Sequence, residues 1–554
     1  MTRLWVHTTS KAEGIAAFAV LLGIIVTLQI LGGAYASGFG ATADEPAHLV
    51  TALMARDFIA SPDFRHPWQF AQSYYFHYPK VAIGVWPPVF YGTLGIWFLI
   101  FGASRSAAIV FIAIVAASTA SIIYFTGKRL IGREAGVLAA ILFIASPLVQ
   151  ESSARVMTEH LVTFGMLVST LCFARFVRTG QISDGLAFGI VAAVAILTHG
   201  NAWALGVVPG LTIALTNRWY LLRRLALWLA AAPVLIACVP WYAFAPSIVA
   251  GRWGSFASLM VEALPDYAWF IYLDVGLPVL IFALIGIWDT IVRVKPRTEV
   301  APDWAALAAL AIGVYILHCI LPVPIDSRYV VLLVPAVVLF SAAGVRVIVR
   351  RLADRLPIGV ARVGLAVAVI AVFCVESFAL PLRLMNGGYR ALVHDVVARL
   401  RNVPQVWLIA SDESGEGCLV AAVALQDARP SSYVLRAETI LAGGSWFGRG
   451  VQDRFDTSAK LISLLDDLAV TIIVIDDRVR PDARLPYYDR LRSLVISEYG
   501  TWELFGSYPE TQGGNTFPNS LQVYARRPVA SLTIAGPAIR LDRLRALMVR
   551  KELR

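Results

Sequence analysis

Residues 14–48 read GIAAFAVLLGIIVTLQILGGAYASGFGATADEPAH, and this stretch decides the fold. Gly14 to Gly33 is apolar, uncharged and long enough to cross a bilayer. A few residues beyond it stand two adjacent carboxylates, Asp44 and Glu45, followed by Pro46 and His48. Paired acids at a membrane boundary are costly unless they pair, coordinate or do chemistry. The remaining chain has the same character: of 554 residues, 58% are hydrophobic and 15% charged, with mean hydropathy +0.69. Such a composition defines an integral membrane protein and excludes a soluble globular one. Arg3 and Lys11 precede the first apolar run, and Ala34-Tyr35-Ala36 looks like a cleavage site. The run exceeds a secretory h-region, so an uncleaved anchor is expected.

Basic clusters set the topology. They are Lys128-Arg129 with Arg133, Arg175 with Arg178, Arg218 with Arg223-Arg224, Arg293 to Arg297, and Arg346 to Arg355. Placing each in the cytoplasm puts spans near 105–126, 136–148, 160–177, 185–199, 201–216, 225–245, 269–292, 304–321, 329–349 and 359–380. With the first helix this makes about eleven spans, with a cytoplasmic N-terminus. Trp86 to Gly102 is left over, since spanning would invert every later cluster. Its aromatics and Pro87-Pro88 suit a helix lying in the outer interface. The net charge of +10 is largely this topological signal and does not imply nucleic acid. The five cysteines show no metal-binding spacing.

Residues 1–380 are therefore expected to form the membrane domain, with an outer loop at 34–104 containing the non-spanning helix 86–102. Residues 381–554 are expected to form a soluble domain outside the membrane. There, Val406–Ala410 and Thr471–Ile475 read as buried strands and Leu521–Ala525 as a late one. Helical stretches at Tyr389–Arg401, Ser458–Leu468 and Tyr488–Ser497 surround them, which indicates a small α/β domain.

The outer turns gather most of the odd polar groups: Asp44, Glu45, His48, His77, Tyr78, Lys80, Arg155, Glu159, His199, Asp326 and Arg328. Acids and cations on one face could hold an anionic head group and activate a nucleophile. Asp44 could equally cap a helix. Glu45 is a natural first-turn acid. Arg155 and Glu159, four apart, could form an ordinary intrahelical pair. Lys80 could snorkel, and Asp326 could cap the span that follows it. No inverted repeat with matched broken helices is visible, which counts against a secondary transporter.

In order, Asp44-Glu45, Tyr78-Pro79-Lys80 to Trp86-Pro87-Pro88-Val89-Phe90-Tyr91, Ser146-Pro147 with Arg155 and Glu159, Leu197-Thr198-His199-Gly200, and Asp326-x-Arg328-Tyr329 with Pro335 form a recognisable set. The chain resembles the polytopic GT-C fold glycosyltransferases that use polyprenyl-phosphate sugars, over about residues 10–350. Within them it is similar to glycosyltransferase family 39, that is, protein O-mannosyltransferases, with aminoarabinose transferases and rhizobial galacturonosyltransferases. The resemblance implies Asp44 as general base, Glu159 as a second acid and inverting single displacement; Glu45, by its position, could orient Asp44 or bind a cation and joins them as a candidate catalytic residue. It implies donor-phosphate and substrate contacts from His48, Tyr78, Lys80, Arg155, His199, Asp326, Arg328 and Tyr329. The family often has Lys where this chain has Trp86 and His199, which shifts the phosphate grip towards Lys80 and Arg328. No cofactor is required by the resemblance, although Asp44, Glu45 and His48 could hold a divalent metal ion. The implied partners are a polyprenyl-phosphate sugar, membrane lipids and an acceptor glycan, lipid or protein. The implied location is the bacterial inner membrane, multi-pass, with the C-terminal domain periplasmic. The competing class is a transporter or flippase for lipid-linked sugars.

Overall fold

The computed structural model describes residues 11–39, 42–61, 65–244, 256–321, 325–353, 386–427, 429–443, 452, 454–455, 457–479, 484–498, 500–534 and 539–552. Two compact units emerge. One comprises Met1–Gly32, Gly84–Phe90 and Ile109–Leu382, and the other Gly33–Ile83, Tyr91–Ala108 and Arg383–Arg554.

The first unit is helical. Among the described residues of the whole chain, six helices are long and apolar enough to cross a membrane, beginning with Lys11–Leu31 and Arg105–Leu130. A seventh arises if Arg133–Ala145 and Pro147–Ser153, bent by 62° at Ser146, count as one span. The bend is local chemistry: proline at 147 disfavours helical geometry at the residue before it. The Ser146 hydroxyl then caps the new helix by accepting from Val149 N–H. The expected span at 359–380 lies outside the described residues. The outer loop expected at 245–268 differs, because helix Phe256–Ile287 already covers its second half. Val89–Phe101 has 13 residues, about 20 Å of helix against a hydrocarbon core of about 30 Å.

Charge sorts to one end of this unit. Lys128 pairs with Glu13 at 2.5 Å, and Arg129 (2.6 Å) and Arg178 both pair with Asp303. Lys128, Arg129 and Arg178 close their helices, where the macrodipole favours cations, and Asp303 opens its own. Helices Phe256–Ile287 and Val334–Ala353 cross at glycines. A Cβ on Gly286 would strike the Phe340 carbonyl, and one on Gly344 would strike the Phe282 carbonyl. Small residues at a crossing let backbones approach closely enough for dispersion to hold apolar helices together.

The second unit is built on a five-stranded sheet ordered β2-β1-β3-β5-β4. Its strands are β1 (Val406–Ala410), β2 (Tyr433–Arg436), β3 (Ile472–Asp476), β4 (Trp502–Gln512) and β5 (Asn515–Arg526). The first three are parallel, and β3–β5 and β4–β5 are antiparallel. Strands β1 and β3 are buried along their whole length, as parallel strands covered on both faces must be. Gly513 and Gly514, both with positive φ, make the tight β4–β5 turn. Helix Glu413–Gln426 links β1 to β2 and packs on helix Asp44–Ala60. Thus residues following the first span fold together with the C-terminal sheet.

Candidate functional site

Within the sheet-containing unit, Asp44 and Glu45 occupy the first turn of helix Asp44–Ala60. The preceding residue, Ala43, offers no capping side chain, so the two acids meet the positive end of the helix themselves. Glu45 is fully buried and accepts from Arg105 Nη2 at 2.9 Å. Arg105 also donates to the Ala34 carbonyl, which ties the chain leaving the first span to the acid pair. One turn along, His48 Nδ1 and the Tyr91 hydroxyl are hydrogen-bonded at 2.8 Å, joining two of the motif stretches. The Tyr78 hydroxyl donates to Asp427 at 2.7 Å.

Lys80 has no exposed surface and donates to Glu413 at 3.1 Å. A Cβ built on Gly417 would lie 3.1 Å from Pro46 and 3.4 Å from Lys80 Cε. A methyl group at 417 would be tight against Pro46 and in ordinary contact with Lys80, so the helix packs closely on the acid-bearing turn. Beyond Glu413 the network continues: Arg436 Nε reaches Glu416 at 2.9 Å, and Arg436 Nη2 reaches Glu438 at 3.4 Å. Burial pushes the Lys80 pKa below the ordinary lysine value, Arg436 adds to this, and Glu413 opposes it.

Within the membrane unit, Glu159 opens helix Glu159–Thr179 and is buried. Arg328 Nε lies 3.7 Å from Glu159 and 3.0 Å from Asp326. Asp326 caps the 3-10 turn Ser327–Leu332 by accepting from Arg328 N–H. The Arg328 guanidinium lies over the Tyr329 ring at 5.2 Å. His318 stacks on Tyr329, with centroids 4.8 Å apart, and His199 approaches the same ring at 6.4 Å. His199 Nδ1 accepts from Asn201 N–H and so caps the following turn. Tyr267 lies against His318 and accepts from Asp326 N–H at 3.4 Å.

Arg155 behaves differently from the intrahelical pairing with Glu159. The helix Pro147–Ser153 stops before Arg155 and a new one starts at Glu159, so the two do not share a helix face. Arg155 instead pairs with Glu151, four residues back. Asp274 holds this segment: its carboxylate accepts from the Ser146 hydroxyl at 2.8 Å and from Leu148 N–H at 2.8 Å.

Of the outer-face groups named from sequence, Glu159, Asp326, Arg328, Tyr329 and His199 lie together in the membrane unit, and sequence reasoning missed Arg105, Glu416, Arg436, Tyr267, Asp274 and His318. Only Arg105, which stands alone before an apolar run, carried a visible signal. Among the described residues, no three His, Cys, Asp or Glu side chains are gathered as metal ligands would be.

Comparison with known proteins gives the class. Residues 85–244 match the family described as dolichyl-phosphate-mannose-protein mannosyltransferase, a region that includes Trp86 to Tyr91, Glu159 and His199. The structure is similar to ArnT from Cupriavidus metallidurans in the apo state, with TM-score 0.55 and 15% identity, covering 96% of this chain and 100% of that one. The same protein bound to undecaprenyl phosphate gives 0.52 and 15%, covering 94% and 99%. The Archaeoglobus fulgidus oligosaccharyltransferase complex with Zn and sulfate gives 0.54 and 15%, covering 91% and 73%. No curated protein sequence matches. The chain is a multi-pass membrane protein with the GT-C fold, and the resemblance drawn from the ordered motifs stands. The proteins it resembles are glycosyltransferases.

Proposed function

We propose that this chain is an inverting glycosyltransferase that moves a sugar from a polyprenyl phosphate to an acceptor hydroxyl at the outer face of the bacterial inner membrane. Asp44 takes the hydroxyl proton, the oxygen forms a bond to the anomeric carbon, and the bond from that carbon to phosphate breaks. Polyprenyl phosphate leaves with its negative charge met by Lys80; in the membrane unit, Arg328 and His199 are further anion-binding groups. Glu45 is a positioning residue, locked by Arg105, that fixes the first turn carrying Asp44. Glu159 and Asp326 orient Arg328. His48 and Tyr78 support the acid- and lysine-bearing stretches of the sheet-containing unit, and Arg155 and Tyr329 support the polar cluster of the membrane unit.

The observation that carries this reading is the burial of a lysine beside the acid-bearing turn, with Lys80 and Pro46 both against Gly417. A buried cation is costly and is retained where an anion is to be met. The matched family supports phosphate-linked sugar as the donor class. For sidedness, Lys128, Arg129 and Arg178 gather with Glu13 and Asp303 at one end. By the positive-inside rule that end is cytoplasmic, and Glu159, at the opposite end of the helix from Arg178, faces outward. On the positive-inside rule we take the N-terminus as cytoplasmic and the C-terminal domain as periplasmic.

The test is release of undecaprenyl phosphate by the purified protein in detergent from a set of undecaprenyl-phosphate sugars, with and without candidate acceptor glycans, lipids and proteins. Acceptor-dependent release is expected. A protein that binds these lipids and never cleaves them would be a transporter.

A further inference from the structure

Lys80 already has an anion. Its ammonium donates to Glu413 at 3.1 Å, and the lysine is wholly buried while the Glu413 side chain keeps 40% of its surface in solvent. The two partners are unequal: the cation is fixed and the carboxylate can leave. Glu413 lies in the first turn of helix Glu413–Gln426, after Asp412, whose side chain caps that helix through Gly415 N–H at 2.7 Å. The helix itself is held close by Gly417 against Pro46 and by Glu416, which is bound to Arg436 and accepts from Glu438 N–H at 3.0 Å. Release of Glu413 therefore requires only a side-chain rotation and not movement of the helix.

We propose that Glu413 is a resident counter-ion occupying on Lys80 the place that the lipid phosphate takes, so that the C-terminal domain sets the affinity of the donor site. This rests on Lys80 being a phosphate ligand in the proposed function. The exchange is one anion for another. Burial and Arg436 disfavour the charge on Lys80 while Glu413 supports it, and a phosphate arriving in its place would support it equally. Glu413 moves to water, where its charge is readily solvated. The device suits a transferase that must release polyprenyl phosphate after each turnover, because the returning carboxylate competes with product for Lys80.

The test measures binding of undecaprenyl phosphate, with neutral undecaprenol as control, to the full-length protein in detergent. Glu413→Gln is expected to tighten undecaprenyl phosphate binding by about tenfold and to leave undecaprenol unchanged. Losing the carboxylate beside a buried lysine is expected to lower the melting temperature of the lipid-free Glu413→Gln protein, and undecaprenyl phosphate is expected to restore it. Lys80→Gln is expected to weaken binding, and adding Glu413→Gln to it should bring no recovery. If Lys80→Gln weakens binding but Glu413→Gln leaves it unchanged or weaker, the counter-ion role is overturned and the phosphate grip survives. If a folded Lys80→Gln protein binds as the wild type does, both fail.

Discussion

Glu45 and Arg105 form a buried ion pair at 2.9 Å, and it ties the acid-bearing helix to the start of helix Arg105–Leu130. Removing one partner leaves the other charge buried, at a cost of about 3–5 kcal/mol. Arg105→Ala and Glu45→Ala should each lower the melting temperature in detergent markedly. The double variant should lose much less than the sum of the two. Strictly additive losses would show that the pair is not coupled.

Arg328 sits between Glu159 and Asp326 in the membrane unit's polar cluster. Arg328→Ala should weaken undecaprenyl phosphate binding by about tenfold or more. Arg328→Lys should recover only part of this, since a point charge cannot engage both carboxylates and a phosphate in one plane. Equal affinity in all three proteins would remove Arg328 from the phosphate site.

The glycine crossing of Phe256–Ile287 with Val334–Ala353 leaves no room for a methyl group. Gly344→Ala must separate the two backbones, and overpacking of this kind costs about 1–3 kcal/mol. Thermal unfolding should show it, whereas the same change at Gly14, with open space around it, should be silent. Equal melting of both variants would mean the crossing is not tight.

His77 is held neutral in the sheet-containing unit. Its ring stacks on Tyr433 at 4.0 Å, Nδ1 donates to the Ser432 carbonyl, and burial lowers its pKa below the usual 6.5. On acidification the unfolded chain binds the proton first. The stabilisation is therefore present above about pH 6.5 and is lost as pH falls towards the lowered value. His77→Phe should flatten the acid side of the melting-temperature profile between pH 5.5 and about 7. Profiles that run parallel would exclude His77 as the group responsible.

The long apolar helices were legible because hydropathy is a local signal, but the stretches expected to span at 185–199 and 201–216 are the shorter apolar helices Ile182–Ile196 and Gly200–Leu215. Strands β1 and β3 were legible as well, β1 being apolar throughout and β3 apolar up to its last residue, Asp476. Two strands were not. Tyr433–Arg436 has only four residues, and Trp502–Gln512 is interrupted by Gly506 and Pro509. Helix Glu413–Gln426 was hidden by Gly415 and Gly417, which suppress helix propensity. Gly417 packs directly against Pro46. The polar cluster around Arg328 was legible as an ordered set of motifs. The Lys80–Glu413 pair was not, since pairing between distant segments leaves no trace in local pattern.

The most direct measurement is turnover of an undecaprenyl-phosphate sugar by purified Asp44→Asn protein, alongside its melting temperature and its affinity for undecaprenyl phosphate. Loss of a general base predicts a fall of about 10²- to 10⁴-fold in turnover, with melting and lipid affinity retained. Wild-type turnover by the folded Asp44→Asn protein would contradict the account.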